Sequence, residues 1–238
     1  MIARVAAVAG RVVLALAVLY GLLVGLGLLL TKVLDDSALV EQEEEFNRDL
    51  AAGRTPELND VTYVLSGLGN TGAIIGALVV VAVALRLASK KWVYSIFLVL
   101  AVSAQALVFL LVTLTIDRKR PDVKKLDDSP PTSSFPSGHT GAATALFIAS
   151  ALLIAWYVQR RWVKILAVTV LVAVPLLVAY GRLYRGMHHP TDVAASFLNG
   201  GSCITIAALN VLHRPGRRGE RSPDPQQAPT TLGAAGTR

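Results

Sequence analysis

Between Lys91 and Asp117 the chain reads WVYSIFLVLAVSAQALVFLLVTLTI, from Trp92 to Ile116, 25 residues without a charge. An α-helix rises 1.5 Å per residue, so about 20 apolar residues cross a hydrocarbon core of about 30 Å. This stretch is long enough to span a bilayer. Five more uncharged or nearly uncharged runs flank it: Val12 to Thr31, Val61 to Leu85, Thr140 to Gln159, Ile165 to Gly181 and Val193 to Leu212. The fifth in chain order, Ile165 to Gly181, is the shortest and holds Pro175, so a kink or an extension past its charged flank is expected. Bare backbone cannot face lipid, and the period-2 alternation of a membrane barrel is absent. The expected fold class is therefore all-α: a polytopic membrane protein of six transmembrane helices. A helical bundle wholly in water is the alternative, and six such runs in 238 residues argue against it.

Composition agrees. Hydrophobic residues make up 53% and charged residues 16%, against roughly 25% charged in ordinary globular chains. The mean hydropathy is +0.55. These values exclude a disordered, collagen-like or coiled-coil chain. A single cysteine, Cys203, excludes an internal disulfide framework and a Cys-rich metal site. Arg4 and Arg11 precede the first run as they would in a signal peptide. The run is long, however, and ends Leu28-Leu29-Leu30-Thr31-Lys32 rather than in a small-residue cleavage site, so it reads as a retained span.

The net charge of +7 has a side. With the N-terminus in the cytoplasm, the inner segments hold 13 of the 23 Lys and Arg residues and, of the 16 acids, only Glu220 and Asp224. Basic residues gather in cytoplasmic segments, so both termini are expected inside. The arginines after His213 then lie against anionic lipid heads, and no nucleic-acid partner is expected. Residues 1–213 are expected to form the six-span domain, with the motifs between 113 and 192. Residues 214–238, rich in Arg, Pro, Gly and Thr, are expected to be a disordered basic cytoplasmic tail. The first outer loop, Lys32 to Asp60, carries nine acids. Ser37 to Ala52 fits a short helix on the membrane surface, with Glu43, Glu44 and Glu45 as its solvated face. Gly21, Gly25 and Gly27 allow close packing of the first span, within the bundle as readily as between chains.

Three outer clusters break the charge rule. One is Asp117-Arg118-Lys119-Arg120-Pro121, the second Pro136-Ser137-Gly138-His139, the third the segment from Gly181-Arg182 through His188-His189-Pro190 to Asp192. Topology puts all three at the same membrane face. Arg presents a planar fork of donors that matches phosphate oxygens. Ser137-Gly138-His139 opens a helix, whose free amides and dipole favour an anion. Gly138 permits close backbone approach. Ser137 also fits a plain N-cap, and the two roles are compatible. Two histidines permit a division of labour: a neutral imidazole attacks phosphorus and a protonated one gives its proton to the leaving oxygen. Proline at a first helical position places Asp192 in the first turn of the last span, able to accept from His188.

These residues resemble the three-part signature of the type 2 phosphatidic acid phosphatases, integral membrane lipid phosphatases related in active-site plan to vanadium haloperoxidases. The resemblance covers the third to the sixth span. It implies that His188 is the nucleophile forming a phosphohistidine, that Asp192 orients it, and that His139 protonates the leaving group. It further implies that Arg120, Arg182, Ser137 and the Gly138 amide hold the phosphate, with no metal and no cofactor. Two positions depart from the family pattern. Thr113 stands where the first motif has Lys, so Arg118 or Lys119 is expected to supply that cation. Gly181 stands where the third motif has Ser. The expected substrate is a membrane lipid phosphate, a polyprenyl diphosphate first and phosphatidate or phosphatidylglycerophosphate second. A catalytically weak lipid-phosphate binding protein is the reading that Thr113 favours, and His139, His188 and Asp192 count against it.

Overall fold

The computed structural model describes residues 2–128 and 131–212. The expected disordered tail lies outside them. Nine α-helices are formed by the described residues: α1 (Ile2–Leu28), α2 (Ala38–Ala52), α3 (Pro56–Gly67), α4 (Thr71–Ser89), α5 (Val93–Thr115), α6 (Gly138–Ala143), α7 (Ala149–Tyr157), α8 (Arg161–Tyr184) and α9 (Pro190–Ala207). Short π-helical turns extend α1 over Leu29–Val33, join α6 to α7 over Thr144–Ile148, and extend α9 over Ala208–Leu212. Six segments are long and apolar enough to cross a membrane: Val5–Val33, Thr71–Ser89, Val93–Thr115, Gly138–Tyr157, Arg161–Tyr184 and Pro190–Leu212. The chain is an all-α, multi-pass membrane protein.

Helix α5 lies at the centre and packs along α9, α4 and α1. Its inward side chains Phe97, Leu98, Ala101, Val108 and Val112 are buried, whereas Leu107, Leu110, Leu111 and Leu114 are exposed. Helices α1, α4 and α8 likewise expose Val13, Leu14, Val18, Val79, Val80, Leu166 and Val170. In lipid such a band is solvated by its surroundings, and close packing and buried polar contacts hold the helices together. Tyr20 on α1 and Thr115 on α5 share a hydrogen bond of 2.8 Å, and the Ser95 hydroxyl of α5 donates to the Ala82 carbonyl of α4 at 2.7 Å. Deeper in the bundle, Thr144, Ser150 and Ser196 donate to carbonyls four residues back at 2.7 to 2.8 Å, which satisfies their hydroxyls within their own helix.

Two expectations need correction. The second span does not run from Val61 to Leu85. The chain is helical over Pro56–Gly67, breaks at Leu68 to Asn70, and enters the span only at Thr71. Gly67, Gly69 and Asn70 are weak helix formers. Asn70 adopts an extended N-cap conformation, with ψ at 145°. Hydropathy read the two helices as one because α3 is itself partly apolar. Second, α2 forms where expected, but it is not a solvated acidic face: Glu43 and Asn47 are buried and only Glu45 of the acidic triplet is fully exposed. The short run around Pro175 does extend past its charged flank as expected: α8 is a full span from Arg161 to Tyr184.

Candidate active site

The C-terminal ends of α5 and α8 and the N-terminal ends of α6 and α9 meet at one end of the bundle, around a cavity of about 540 Å³. Arg120, Gly138, His139, Arg182 and His188 line it, together with Asp127, Ser66, Asn70, Gln105 and an apolar wall of Ile74, Ile75, Val102, Ala106 and Phe109. Residues as far apart in the chain as Ser66 and His188, 122 positions, thus share one chamber.

His188 sits in the turn between α8 and α9 and is buried. Its Nδ1 lies 2.7 Å from the Ser134 carbonyl oxygen. A carbonyl can only accept, so Nδ1 carries the proton and Nε2 keeps its lone pair. Asp192 was expected to make this bond. Its Oδ2 lies 3.7 Å from His188 Nδ1, beyond hydrogen-bond reach. The carboxylate instead caps α9, accepting from the His189 amide at 2.8 Å, and pairs with Arg118 through Oδ1. Asp192 acts on His188 by charge, and the Ser134 carbonyl sets the tautomer. Burial, with the Arg182 and Arg120 charges in support and Asp192 opposing, holds the His188 imidazole down to about 4. The ring is therefore neutral around pH 7.

His139 is the second residue of α6. Its Nε2 lies 2.7 Å from Asn70 Oδ1, at the break between α3 and α4. Ser137 is the N-cap, fully buried, with its Oγ accepting from the Thr140 amide and its hydroxyl directed to Thr140 Oγ1. It does not line the cavity. The first backbone bond of the helix is from the Gly141 amide to the Ser137 carbonyl at 3.1 Å, so the Gly138 and His139 amides precede the ladder and are free for an anion. A Cβ on Gly138 would stand 2.8 Å from the Phe109 ring, so only glycine lets α6 begin this close to α5.

Arg120 donates from Nη1 to the Met187 carbonyl at 2.8 Å, which ties it to the turn that carries His188. Arg182 donates from Nη1 to Ser66 Oγ and to Asp127 Oδ2, both at 2.9 Å. The Nε of each arginine is buried and, among the described residues, has no hydrogen-bond partner. Two arginines that line one cavity with hydrogen-bonding capacity left over suit an anion that completes them. Asp127 also pairs with Arg185, and the two arginines outweigh burial and keep its carboxyl below the usual range. The departure at Gly181 has a structural reason: a Cβ there would lie 3.2 Å from the Ser66 backbone nitrogen. Close approach of α3 to α8 then brings the Ser66 hydroxyl to Arg182.

The expected substitutes for the missing motif cation are elsewhere. Arg118 is buried and donates to Glu43, Thr191 and Asp192. Lys119 is exposed, and its carbonyl accepts from the Ser134 hydroxyl. Neither lines the cavity. Sequence reasoning missed Asp127, Ser66, Asn70 and Gln105, which reach the cavity from segments without a motif. Asp127 stands in a loop that also holds Asp117, Asp122 and Asp128 among five cations, so no local signal set it apart. Among the described residues, no group of three or more His, Cys, Asp or Glu side chains is placed to hold a metal ion.

A chamber at one end of a bundle of membrane-spanning helices, lined by two histidines and two arginines, suits a phosphate group carried by a lipid. The PAP2 superfamily model matches residues 91–214, and the chain belongs to that superfamily. It is similar to phosphatidylglycerophosphatase B of Bacillus subtilis (strain 168), 25% identical over 178 residues that make up 73% of this chain and 85% of that protein. The crystal structure of a transmembrane PAP2-type phosphatidylglycerolphosphate phosphatase from Bacillus subtilis shares the fold. Its TM-score is 0.70 at 23% identity, over 79% of this chain and 93% of that one. The structure of Aquifex aeolicus LpxE matches with a TM-score of 0.56 at 24% identity, over 68% and 92%. The protein is a PAP2 membrane lipid phosphatase.

Proposed function

We propose that the protein hydrolyses a lipid phosphomonoester or diphosphate at the extracytoplasmic face through a phosphohistidine on His188. One observation carries this reading: His188, held as the Nδ1–H tautomer by the Ser134 carbonyl, shares its cavity with Arg120 and Arg182, whose cationic side chains keep donors unused among the described residues. The His188 Nε2 lone pair attacks phosphorus, and the bond from phosphorus to the lipid oxygen breaks. His139, protonated, gives a ring proton to that oxygen, and the lipid alcohol or lipid monophosphate leaves. Arg120, Arg182 and the Gly138 amide hold the equatorial oxygens as charge develops. Water then attacks the phosphohistidine, loses its proton to His139, and inorganic phosphate departs with His188 restored. Asp192 stabilises the cationic ring between the two steps.

Phosphatidylglycerophosphate, the substrate in the name of the Bacillus relative, is the first lipid to test. The polyprenyl diphosphate expected from the sequence gains no support from the comparisons. The test is phosphate release from detergent-solubilised protein on phosphatidylglycerophosphate, phosphatidate and a polyprenyl diphosphate. Attack by an imidazole needs no ion, and vanadate adopts the trigonal bipyramid of the transferring group. Activity is expected to survive EDTA and to be blocked by vanadate. Loss in EDTA with recovery in Mg²⁺ would point to another mechanism.

The outward orientation of the site rests on the distribution of Lys and Arg. Lys124 and Arg160 are both exposed. In a Cys203→Ser background, Lys124→Cys is expected to label with an impermeant thiol reagent in intact cells and Arg160→Cys only after permeabilisation. Equal labelling would defeat the assignment.

A further inference from the structure

The acidic helix α2 is outside all three motifs, yet it enters the chemistry. Glu43 is 4% exposed. Its Oε2 accepts from Arg118 Nη2 at 2.8 Å and from the Thr191 hydroxyl at 3.1 Å, and its Oε1 accepts from the Thr191 amide at 2.6 Å. Arg118 Nη1 donates in turn to Thr191 Oγ1 at 2.7 Å and to Asp192 Oδ1. Asp192 is fully buried, 3.7 Å from His188 Nδ1. A buried carboxylate, guanidinium and carboxylate therefore form a row that ends at His188. The neighbouring His189–Glu44 contact, at 2.9 Å, lies alongside this row.

We propose that Glu43 is a positioning and charge-balancing residue for catalysis, acting through Arg118 and Asp192 on His188. The inference rests on His188 as nucleophile. When the Nε2 lone pair forms the bond to phosphorus and the lipid oxygen leaves with its electron pair, the ring retains its Nδ1 proton and becomes cationic. Asp192 stabilises that cation. Arg118 pins Asp192 but also cancels its charge, because a cation that close offsets the carboxylate almost fully in a buried site. Glu43 neutralises Arg118 from the far side, so the row presents one net negative charge to His188. It also ties the first turn of α9, which carries Asp192, to α2. Arg118 is thereby given a task other than phosphate binding, which accounts for its distance from the cavity.

The experiment uses full-length protein in proteoliposomes and an alkaline quench that preserves phosphohistidine. Glu43→Gln keeps the shape and removes the charge. The rate of phosphoenzyme formation is expected to fall about 10- to 100-fold, the loss typical of a partner one step removed from a reacting group. KM and vanadate inhibition are expected to stay within about twofold, because Glu43 does not touch substrate. Glu43→Gln combined with Arg118→Gln removes both charges, restores the full charge of Asp192, and is expected to be faster than Glu43→Gln alone. A purely structural role for Glu43 predicts the opposite order, since the double variant loses more contacts. Should Glu43→Gln not fold, the double variant decides: it must keep more than about a tenth of the parent rate, because removing both members of a buried pair is tolerated better than removing one. An unchanged rate for Glu43→Gln, a loss confined to KM, or a double variant no faster than the single would each overturn the proposal. His188→Ala run in parallel separates the two levels. If it still turns over, the nucleophile assignment fails; if it is inactive while Glu43→Gln is unaffected, only the role of Glu43 fails.

Discussion

His188→Ala is expected to reduce phosphate release by at least about 10⁴-fold on every lipid tested, with no phosphoenzyme trapped at alkaline pH. Loss of a covalent nucleophile removes the whole two-step route, and other parts of a site do not compensate in proportion. Alanine leaves Arg120, Arg182 and the Gly138 amide in place, so vanadate should still bind. The wild-type pH profile gives a second reading of the same residue. An exposed histidine has a pKa of about 6.5 and would lose half of its nucleophilic form at that pH. Burial holds His188 down to about 4, so the ring stays neutral as pH falls from 8 to 5 and becomes protonated only below that. The acid limb of kcat/KM, which reports the free enzyme, is therefore expected below pH 5. Lipid phosphates titrate near pH 6 themselves. The enzyme's limb is the part of the profile shared by two substrates of different phosphate pKa. A shared limb near 6.5 would mean that the His188 turn opens to water in solution.

His139→Ala is expected to discriminate between substrates. A general acid helps most when the departing oxygen is a poor leaving group. The conjugate acid of a lipid alkoxide has a pKa of about 15 to 16, close to that of water. The group that leaves from a diphosphate is a phosphate monoester, with a second pKa of about 6. It departs with little proton transfer. His139→Ala should therefore slow a lipid monophosphate far more than a diphosphate of matched chain, by a factor of about 10² to 10⁴ when chemistry limits the rate. Single-turnover measurement excludes product release from the comparison. The His139 Nε2 contact with Asn70 offers a milder control: Asn70→Ala leaves the imidazole but removes the partner that orients it. Equal losses on both substrates for His139→Ala would show that this residue holds phosphate and transfers no proton.

Six spans were legible in the sequence because hydropathy is a local property: each run of about 20 apolar residues declares its own fate in lipid. The order of the motifs was legible for a related reason. Gly138-His139 and Pro190 to Asp192 sit at helix starts, Arg120 follows the end of a span, and short-range rules place such residues. The break at Leu68 to Asn70 was less legible, because it separates two helices that are both apolar enough to be read as one. What only the tertiary structure decided was the partner of each polar group. His188 Nδ1 finds the Ser134 carbonyl 54 residues away, and Arg118 finds Glu43 at a separation of 75. His189 reaches Glu44 across 145 residues. No periodicity or spacing encodes such pairs. A buried charge must find a counter-charge or pay several kcal/mol, and which one lies within reach depends on how α2 and α3 dock against the ends of α8 and α9. The sequence by itself therefore determined which residues are available for the chemistry and at which end of the bundle they gather. The packing of the two short helices α2 and α3 decided which carboxylate faces which cation, and so how the charge around His188 is balanced.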